Sequence, residues 1–204
     1  MRSPVWSASE VSPQPDIAFA EAPTLETPRL RLRPWRKGDP AAFAALNADA
    51  RVMQYFPGLM SAADSDALTA AIQDRFRAWG FGFWAVETDA LPFAGFIGLS
   101  RPAYDAPFLP AVEVGWRLDP RCWGQGLATE GARAAMAFGF DQQGLDQIIA
   151  VAPRANTPSI RVMERLGMTS DTAEDFDHPA LTDHPAIRRC ALHRIDRATF
   201  EAAA

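Results

Sequence analysis

Hydrophobic and polar residues along the first part of the chain predict one strand followed by two helices. Leu30 and Leu32 alternate with arginines, which is the period-two pattern of a half-buried strand. A helix is predicted over Asp39–Ala48, with the aspartate as N-cap and a proline at the first helical position. Apolar residues then recur at helical spacing over Ser61–Trp79, which predicts the second helix.

The middle of the chain predicts a run of strands, and the last part alternates helices with strands. Short β-prone segments separated by turn residues predict an antiparallel meander over Phe83–Glu87, Phe93–Ser100 and Val112–Leu118. The later pattern predicts helix, strand, helix and strand over Leu127–Phe140, Gln147–Val151, Thr157–Leu166 and Arg188–Ile195. This order predicts a mixed α/β fold with one mostly antiparallel sheet flanked by helices.

Length and composition predict one domain in a reducing compartment. The chain has 204 residues, 48% of them hydrophobic, enough for one core. The proline-containing segment 1–23 predicts a flexible leader, and 24–204 is the expected domain. A net charge of −5 disfavours nucleic acid as a partner, and no apolar run approaches the roughly 20 residues of a membrane helix. The two cysteines, Cys122 and Cys190, form no CxxC motif, and we expect a cytoplasmic protein.

A glycine-containing turn between a strand and a helix is the most informative local feature. Gly124 and Gly126 lie in the segment Leu118–Glu130, where missing side chains let the backbone approach a ligand. The free N–H groups at the start of the following helix favour an anion, and a pyrophosphate satisfies them. Close packing of a helix on a sheet explains the same glycines equally well. The GxGxxG and GK[ST] patterns of Rossmann and P-loop sites are absent.

A second segment, Asn156–Met168, follows the Gln147–Val151 strand. It makes the interpretation of the glycine-containing turn more specific. Together, Leu118–Arg133, Ala155–Met168 and the loop Asp175–Pro185 resemble the GNAT superfamily of N-acetyltransferases, in the branch that acetylates ribosomal-protein N-termini. The resemblance covers residues 25–195 and implies the GNAT fold, with acetyl-CoA as co-substrate.

The family's signature, Q/R-x-x-G-x-G/A, fits two registers, Arg121-Gly124-Gly126 or Trp123-Gly126-Ala128. We adopt the second because it keeps the distance from the strand end to the helix that is usual in the family. The resemblance then implies a coenzyme A site whose residues contact the pyrophosphate or the pantetheine arm: Trp116, Arg117, Leu118, Gly124, Gln125, Gly126, Leu127, Ala128, Thr129 and Asn156. Asn156 is equally suited to cap the helix that it precedes.

Acetyl transfer to an amine needs a neutral nitrogen, and an alkyl amine with a pKa of about 10 is protonated at neutral pH, whereas an α-amine with a pKa of about 8 is partly neutral. Glu113, on the strand beside the expected thioester, is the candidate base, and an ordinary polar strand position is the alternative. Ser159 is a candidate proton donor to the thiolate, or a first-turn helix residue. Where some family members carry a Glu and a Tyr, this chain has Val151 and Met163, so their acid/base pair is not carried over.

Aromatic and acidic residues in two loops are candidates for binding the amine. Tyr55, Phe56, Asp175 and Asp177, with the neighbouring His178, lie in regions that face the amine in the family. An acidic rim attracts a cation, although anchoring in the core and turn formation explain the same residues. The three histidines lack partners at ligand spacing, so no metal site is predicted.

The function expected from these features is acetyl transfer to a primary amine, first of all a protein N-terminal amine, by direct attack on the thioester. Two alternatives stay open. One is acetylation of a small amine such as a polyamine or an aminoglycoside, and the other is a non-catalytic acyl-CoA-binding module. We expect no partner among nucleic acids or membranes, and a monomer or a homodimer.

Overall fold

The computed structural model describes residues 19–203, and these contain one eight-stranded sheet with helices on both faces. Its strands are β1 (Leu25–Glu26), β2 (Arg31–Arg33), β3 (Phe83–Glu87), β4 (Gly95–Ser100), β5 (Glu113–Leu118), β6 (Gln147–Pro153), β7 (Phe176–Asp177) and β8 (Arg189–Asp196). The helices are α1 (Asp39–Asn47), α2 (Ala62–Trp79), α3 (Leu127–Gln143), α4 (Thr157–Arg165), α5 (Pro185–Arg188) and α6 (Arg197–Ala202). The predicted mixed fold and mostly antiparallel sheet are confirmed.

The sheet has the strand order β1-β2-β3-β4-β5-β6-β8-β7, and every neighbouring pair is antiparallel except β5 and β6. β4 pairs with β5 along its whole length, from Gly95↔Leu118 to Ser100↔Glu113. β5 and β6, by contrast, pair at a single position, Glu113↔Ile149. The two central strands therefore diverge beyond Glu113 and leave an opening in the middle of the sheet.

Helices cover the two faces of the sheet and bury its apolar side chains. The rings of Phe43 on α1 and Phe96 on β4 meet edge to face with centroids 5.8 Å apart. On the opposite face α3 packs against β4 and β5, where Gly131 lies over the buried side chain of Ile97. Helix α1 therefore covers β4 on one face of the sheet, and α3 covers β4 and β5 on the other.

The helix prediction at Asp39 is wrong in one respect. Gly38, not Asp39, is the N-cap of α1, and Asp39 is the first helical residue. Its carboxylate accepts two hydrogen bonds, of 2.7 and 3.0 Å, from the buried guanidinium of Arg33. It also accepts one of 2.7 Å from the backbone N–H of Arg36. An ion pair with β2 thus uses the side chain that the local pattern assigned to capping.

The segment predicted to be a flexible leader divides into two parts. Residues 1–18 lie outside the described residues, while 19–23 form no helix or strand but contact the domain. The backbone N–H of Ala20 donates to Gln73 Oε1 at 2.8 Å, and the carbonyl of Pro23 accepts from the Trp84 indole at 2.8 Å. The packed part of the chain therefore begins before Pro23.

Candidate active site

A cleft of about 450 Å³ occupies the opening between β5 and β6. Its walls come from β5, β6, the loop before α3, the first turn of α3, the length of α4, and the loop between α1 and α2. Most of the predicted site residues line it: Glu113, Trp116, Arg117, Leu118, Gly124, Gly126, Leu127, Ala128, Thr129, Asn156, Ser159, Tyr55 and Phe56. Gln125, Asp175 and Asp177 do not.

The edge of β5 presents backbone groups to this cleft. The Ile149 N–H donates to the Val112 carbonyl at 2.9 Å, so the backbone groups of even-numbered residues on β5 point toward β6. Trp116 lies beyond the last β5–β6 pair, and its N–H and C=O therefore face the opening. The Leu118 carbonyl is already used, because it accepts the Trp123 indole N–H at 2.9 Å. The strand edge can pair with an extended, amide-containing chain.

The loop before α3 forms a backbone cradle for an anion. Gly124 and Gly126 both adopt left-handed conformations, with φ of 73° and 78°. Gly126 is the N-cap of α3, and no side chain caps the first amides of the helix. These N–H groups and the positive end of the helix dipole attract a phosphate. The two features together suit the diphosphate and pantetheine arm of coenzyme A.

Gln125 is turned away from the cleft. Its side-chain amide donates to the Arg121 carbonyl at 2.6 Å, and its own carbonyl accepts from Arg29 at 2.8 Å. Arg29 is held in turn by Glu130, with an N···O distance of 2.6 Å. Gln125 therefore supports the shape of the loop, and we do not carry it into the proposed ligand contacts.

Asn156 performs the capping role and keeps one group for the cleft. Its Oδ1 accepts the Ser159 backbone N–H at 3.2 Å, which makes Asn156 the N-cap of α4. Among the described residues its Nδ2 has no partner, and the side chain lines the cleft. The two roles that the sequence suggested thus use different atoms.

We expect Asn156→Asp and Asn156→Ala to separate these two roles. Aspartate caps a helix as well as asparagine but has no amide donor, so Asn156→Asp should keep the melting temperature and weaken acetyl-CoA binding about tenfold. Asn156→Ala should also lose about 1 kcal/mol of stability. Calorimetric titration and thermal unfolding of both variants check this. Wild-type affinity in Asn156→Asp would show that the amide does not contact the ligand.

Glu113 lies where β5 and β6 separate, and its half-buried side chain lines the cleft. Burial raises the pKa of its carboxyl from 4.5 to about 7, although a hydrogen bond from the Val151 backbone N–H acts in the opposite direction. That N–H is available because β6 has left β5 at this point. The divergence of the strands therefore positions Glu113 and frees the Val151 N–H to donate to it, while burial of the carboxyl is the cause of its near-neutral pKa.

The groups around Glu113 come from distant parts of the chain. Its charge contributes to the raised pKa of the Tyr104 hydroxyl and to that of the Cys190 thiol, although burial is the main cause of both. The Tyr104 hydroxyl is buried without a hydrogen-bond partner among the described residues. Its ring lies 4.2 Å from the ring of His178, whose pKa burial lowers to about 4. Tyr104, Cys190 and His178 are therefore all uncharged at neutral pH.

Tyr55 and Phe56, from the loop between α1 and α2, line the cleft. Tyr55 packs on the apolar cluster of Leu181, Ile187 and Cys190, which joins the α1–α2 loop to the late loop. Phe56 stacks under the buried guanidinium of Arg117, with Cζ 4.2 Å from the ring centroid. The loop between α1 and α2 consequently gives the cleft an aromatic wall.

Asp175 and Asp177 are held in ion pairs outside the cleft. Asp175 accepts two hydrogen bonds, of 2.5 and 2.6 Å, from Arg154. Asp177 contacts Arg188 at 3.0 Å and Arg189 at 3.6 Å. Their charges are compensated locally, so they provide no free acidic rim for a cation.

Several residues that line the cleft were not singled out from the sequence: Arg51, Gln54, Cys122, Arg161 and Arg165. For Arg161 and Arg165, the helical spacing of four residues was the available signal. Over residues 19–203, no group of three or more potential metal ligands occurs, and no helix has the length and hydropathy needed to cross a bilayer.

Comparison with known proteins matches the GNAT acetyltransferase domain to residues 29–169. The FsC-acetyl coenzyme A-N(2)-transacetylase of Aspergillus fumigatus is 30% identical over 172 residues, which cover 81% of this chain and 72% of that protein. The crystal structure of a GNAT-family acetyltransferase from Bacillus anthracis has a TM-score of 0.69 at 25% identity, covering 85% of this chain and 98% of that one.

A further similar structure belongs to the branch that the motifs resemble. RimL, a ribosomal L7/L12 α-N-protein acetyltransferase solved with coenzyme A, has a TM-score of 0.68 at 15% identity, covering 85% of this chain and 98% of that one. At this identity the likeness supports the fold alone. The expected resemblance to this branch is confirmed at the level of architecture.

Proposed function

This chain belongs to the GNAT acetyltransferase family and is an acetyl-CoA-dependent N-acetyltransferase, and from that premise we propose that its amine substrate is the α-amine of a protein N-terminus. The observation that carries the proposal is the position of Glu113 at the divergence of β5 and β6, with a pKa of about 7. A general base works best when its pKa lies near the operating pH, and its uptake of a proton becomes less favourable as the pKa of the donor rises above its own. An α-amine, with a pKa of about 8, suits this carboxylate far better than a lysine or polyamine nitrogen, with a pKa of about 10.

The cleft residues account for each proton in the transfer. The Glu113 carboxylate takes a proton from the ammonium group of the substrate, directly or through one water molecule, and leaves a neutral nitrogen. Acetyl-CoA supplies the thioester, whose C–S bond breaks as the new C–N bond forms. The Trp116 N–H, which faces the opening, donates to the oxygen that becomes negative. Ser159 donates a proton to the departing sulfur and regains one from the nitrogen.

Charge argues against a small polycation as substrate. A polyamine or aminoglycoside site needs uncompensated carboxylates, and Asp175 and Asp177 are both engaged by arginines. The cleft itself is lined by Arg51, Arg117, Arg161 and Arg165, with Glu113 as its acidic residue. The aromatic wall that Tyr55 and Phe56 give the cleft suits the first side chains of a peptide better than a string of ammonium groups.

The non-catalytic alternative is weakened by the chemistry available at Glu113. Val151 and Met163 carry no titratable group, but the Val151 backbone N–H donates to Glu113. A base is thus present on a different strand from the one that other family members use. We also propose that the protein works in the reducing cytoplasm, since Cys122 and Cys190 are both buried free thiols.

A thiol-release assay with acetyl-CoA and a panel of amines tests the proposed substrate. The panel contains peptides with a free α-amine and no lysine, their N-terminally blocked lysine counterparts, spermidine and an aminoglycoside. We expect release with the first group at least about tenfold above the others, since their α-amine is easier to deprotonate. Preference for spermidine or the aminoglycoside would contradict the proposal, and coenzyme A binding without release on any amine would favour a binding module.

A further inference from the structure

One face of α4 brings two arginines into the wall of the cleft. Arg161 and Arg165 line it together with Pro158 and Val162, the set that shares one side of a helix at spacings of three and four residues. The start of α3, with its uncapped amides, lines the same cleft. The cleft thus contains two separate groups that can hold an anion.

Arg161 and Arg165 differ from the other described arginines in their surroundings. Most of the others pair with a carboxylate, as Arg29 does with Glu130 and Arg154 with Asp175. A few instead stack on aromatic rings, as Arg101 does on Trp79. Within residues 19–203, the guanidinium groups of Arg161 and Arg165 have neither kind of partner. Two exposed cations in this chain of net charge −5 are therefore left uncompensated beside the cleft.

The carboxylate nearest to them in the sequence does not pair with either one. Glu164 precedes Arg165 on α4, and its charge acts instead on the buried His193 beneath the helix. Like charges four residues apart destabilise a helix by about 0.2–0.5 kcal/mol. An anion in the cleft removes this repulsion, and a phosphate accepts two parallel hydrogen bonds from each guanidinium.

We propose that Arg161 and Arg165 bind the 3′-phosphate on the ribose of acetyl-CoA. This inference rests on the proposed use of the cleft for that co-substrate. Coenzyme A carries two separate phosphate groups, a diphosphate and a ribose monophosphate. The backbone amides at the start of α3 suit the diphosphate, and the two guanidinium groups on α4 suit the monophosphate, whose double negative charge is carried by the oxygens of a single phosphate group.

Binding of coenzyme A and of dephospho-coenzyme A, which lacks only the 3′-phosphate, tests this assignment by calorimetric titration without any amine. The wild-type protein should prefer coenzyme A by at least about tenfold, the size of one charge-assisted hydrogen bond. Arg161→Ala and Arg165→Ala should each reduce that preference, and the double variant should bind the two ligands equally. Arg161→Lys should retain part of it, because the charge remains and the paired hydrogen bonds are lost.

Arg77→Ala, which removes an exposed arginine on α2 outside the cleft, is the matched control and should retain the wild-type preference. Equal weakening of both ligands in the α4 variants would place the contacts on another part of coenzyme A and overturn the assignment, as would no change for either ligand. Thermal unfolding without ligand shows whether the variants fold; the loss of like-charge repulsion should leave the melting temperature unchanged or higher. A protein that shows this preference yet acetylates no α-amine would contradict the proposed function alone.

Discussion

Replacing Glu113 with glutamine is expected to lower kcat/KM for an α-amine substrate by about 10²–10⁴-fold, the usual contribution of a positioned general base. Glutamine has nearly the same shape and cannot take a proton. In the wild-type protein, the carboxylate with its pKa of about 7 is the active form, so activity should rise as the pH increases through 7. The pH–activity profile of Glu113→Gln should lack this rise and show only the ionisation of the amine substrate.

Glu113→Gln is also expected to change how the stability of the folded protein depends on pH. Burial raises the pKa of Glu113 from 4.5 to about 7. The unfolded chain therefore releases the proton first, and folding stability declines as the pH rises from 4.5 to 7. Glu113→Gln should lack this decline and be the more stable protein at pH 8. Glu201→Gln, at an exposed position on α6, should behave as wild type. An unchanged rate and profile in Glu113→Gln would remove Glu113 from the mechanism.

Replacing Gly126 with aspartate is expected to weaken acetyl-CoA binding about a hundredfold or more. The new carboxylate would lie at the start of α3, where it competes for the free amides and repels a phosphate. It would also stand near Arg29, whose guanidinium lies 3.6 Å from the position of the added Cβ. The measurement is calorimetric titration with coenzyme A.

The same helix provides a matched control at its other end. Gly144 caps α3 at its C-terminus with φ of 65°, close to the 78° of Gly126, and an added Cβ there meets no atom within 4 Å. Gly144→Asp therefore imposes the same backbone strain and charge away from the cleft. It should bind coenzyme A as wild type does. Equal affinity in Gly126→Asp and Gly144→Asp would show that the diphosphate does not bind at the start of α3.

Much of the fold could be predicted because its signals are local. The strand β3 has the predicted bounds, Phe83–Glu87, since a left-handed glycine at Gly80 and a turn after Glu87 isolate it. The cap of α1 could not be predicted, because the carboxylate of Asp39 is used by Arg33 of a neighbouring strand. Nor did the sequence indicate β7, a two-residue strand that exists through its pairing with β8.

The candidate site likewise has a part that local sequence signals predict and a part that depends on contacts between distant residues. The cradle at Gly124 and Gly126 was visible in the sequence because a strand, a glycine turn and a helix are consecutive there. The environment of Glu113 was not, since Tyr104, His178 and Cys190 approach it from separate loops and strands. The role expected for Asp175 depended on its charge being free. Arg154, 21 residues earlier, compensates that charge in an ion pair that local sequence patterns do not reveal.

The nitrogen that receives the acetyl group decides the central claim most directly. A peptide with both a free N-terminal α-amine and a lysine side chain is incubated with the protein and acetyl-CoA at pH 7.5, and fragment-ion mass spectrometry locates the product. We predict acetylation at the α-amine with wild-type protein and its loss with Glu113→Gln. Acetylation at the lysine, or an equal yield at the α-amine with Glu113→Gln, would contradict the account.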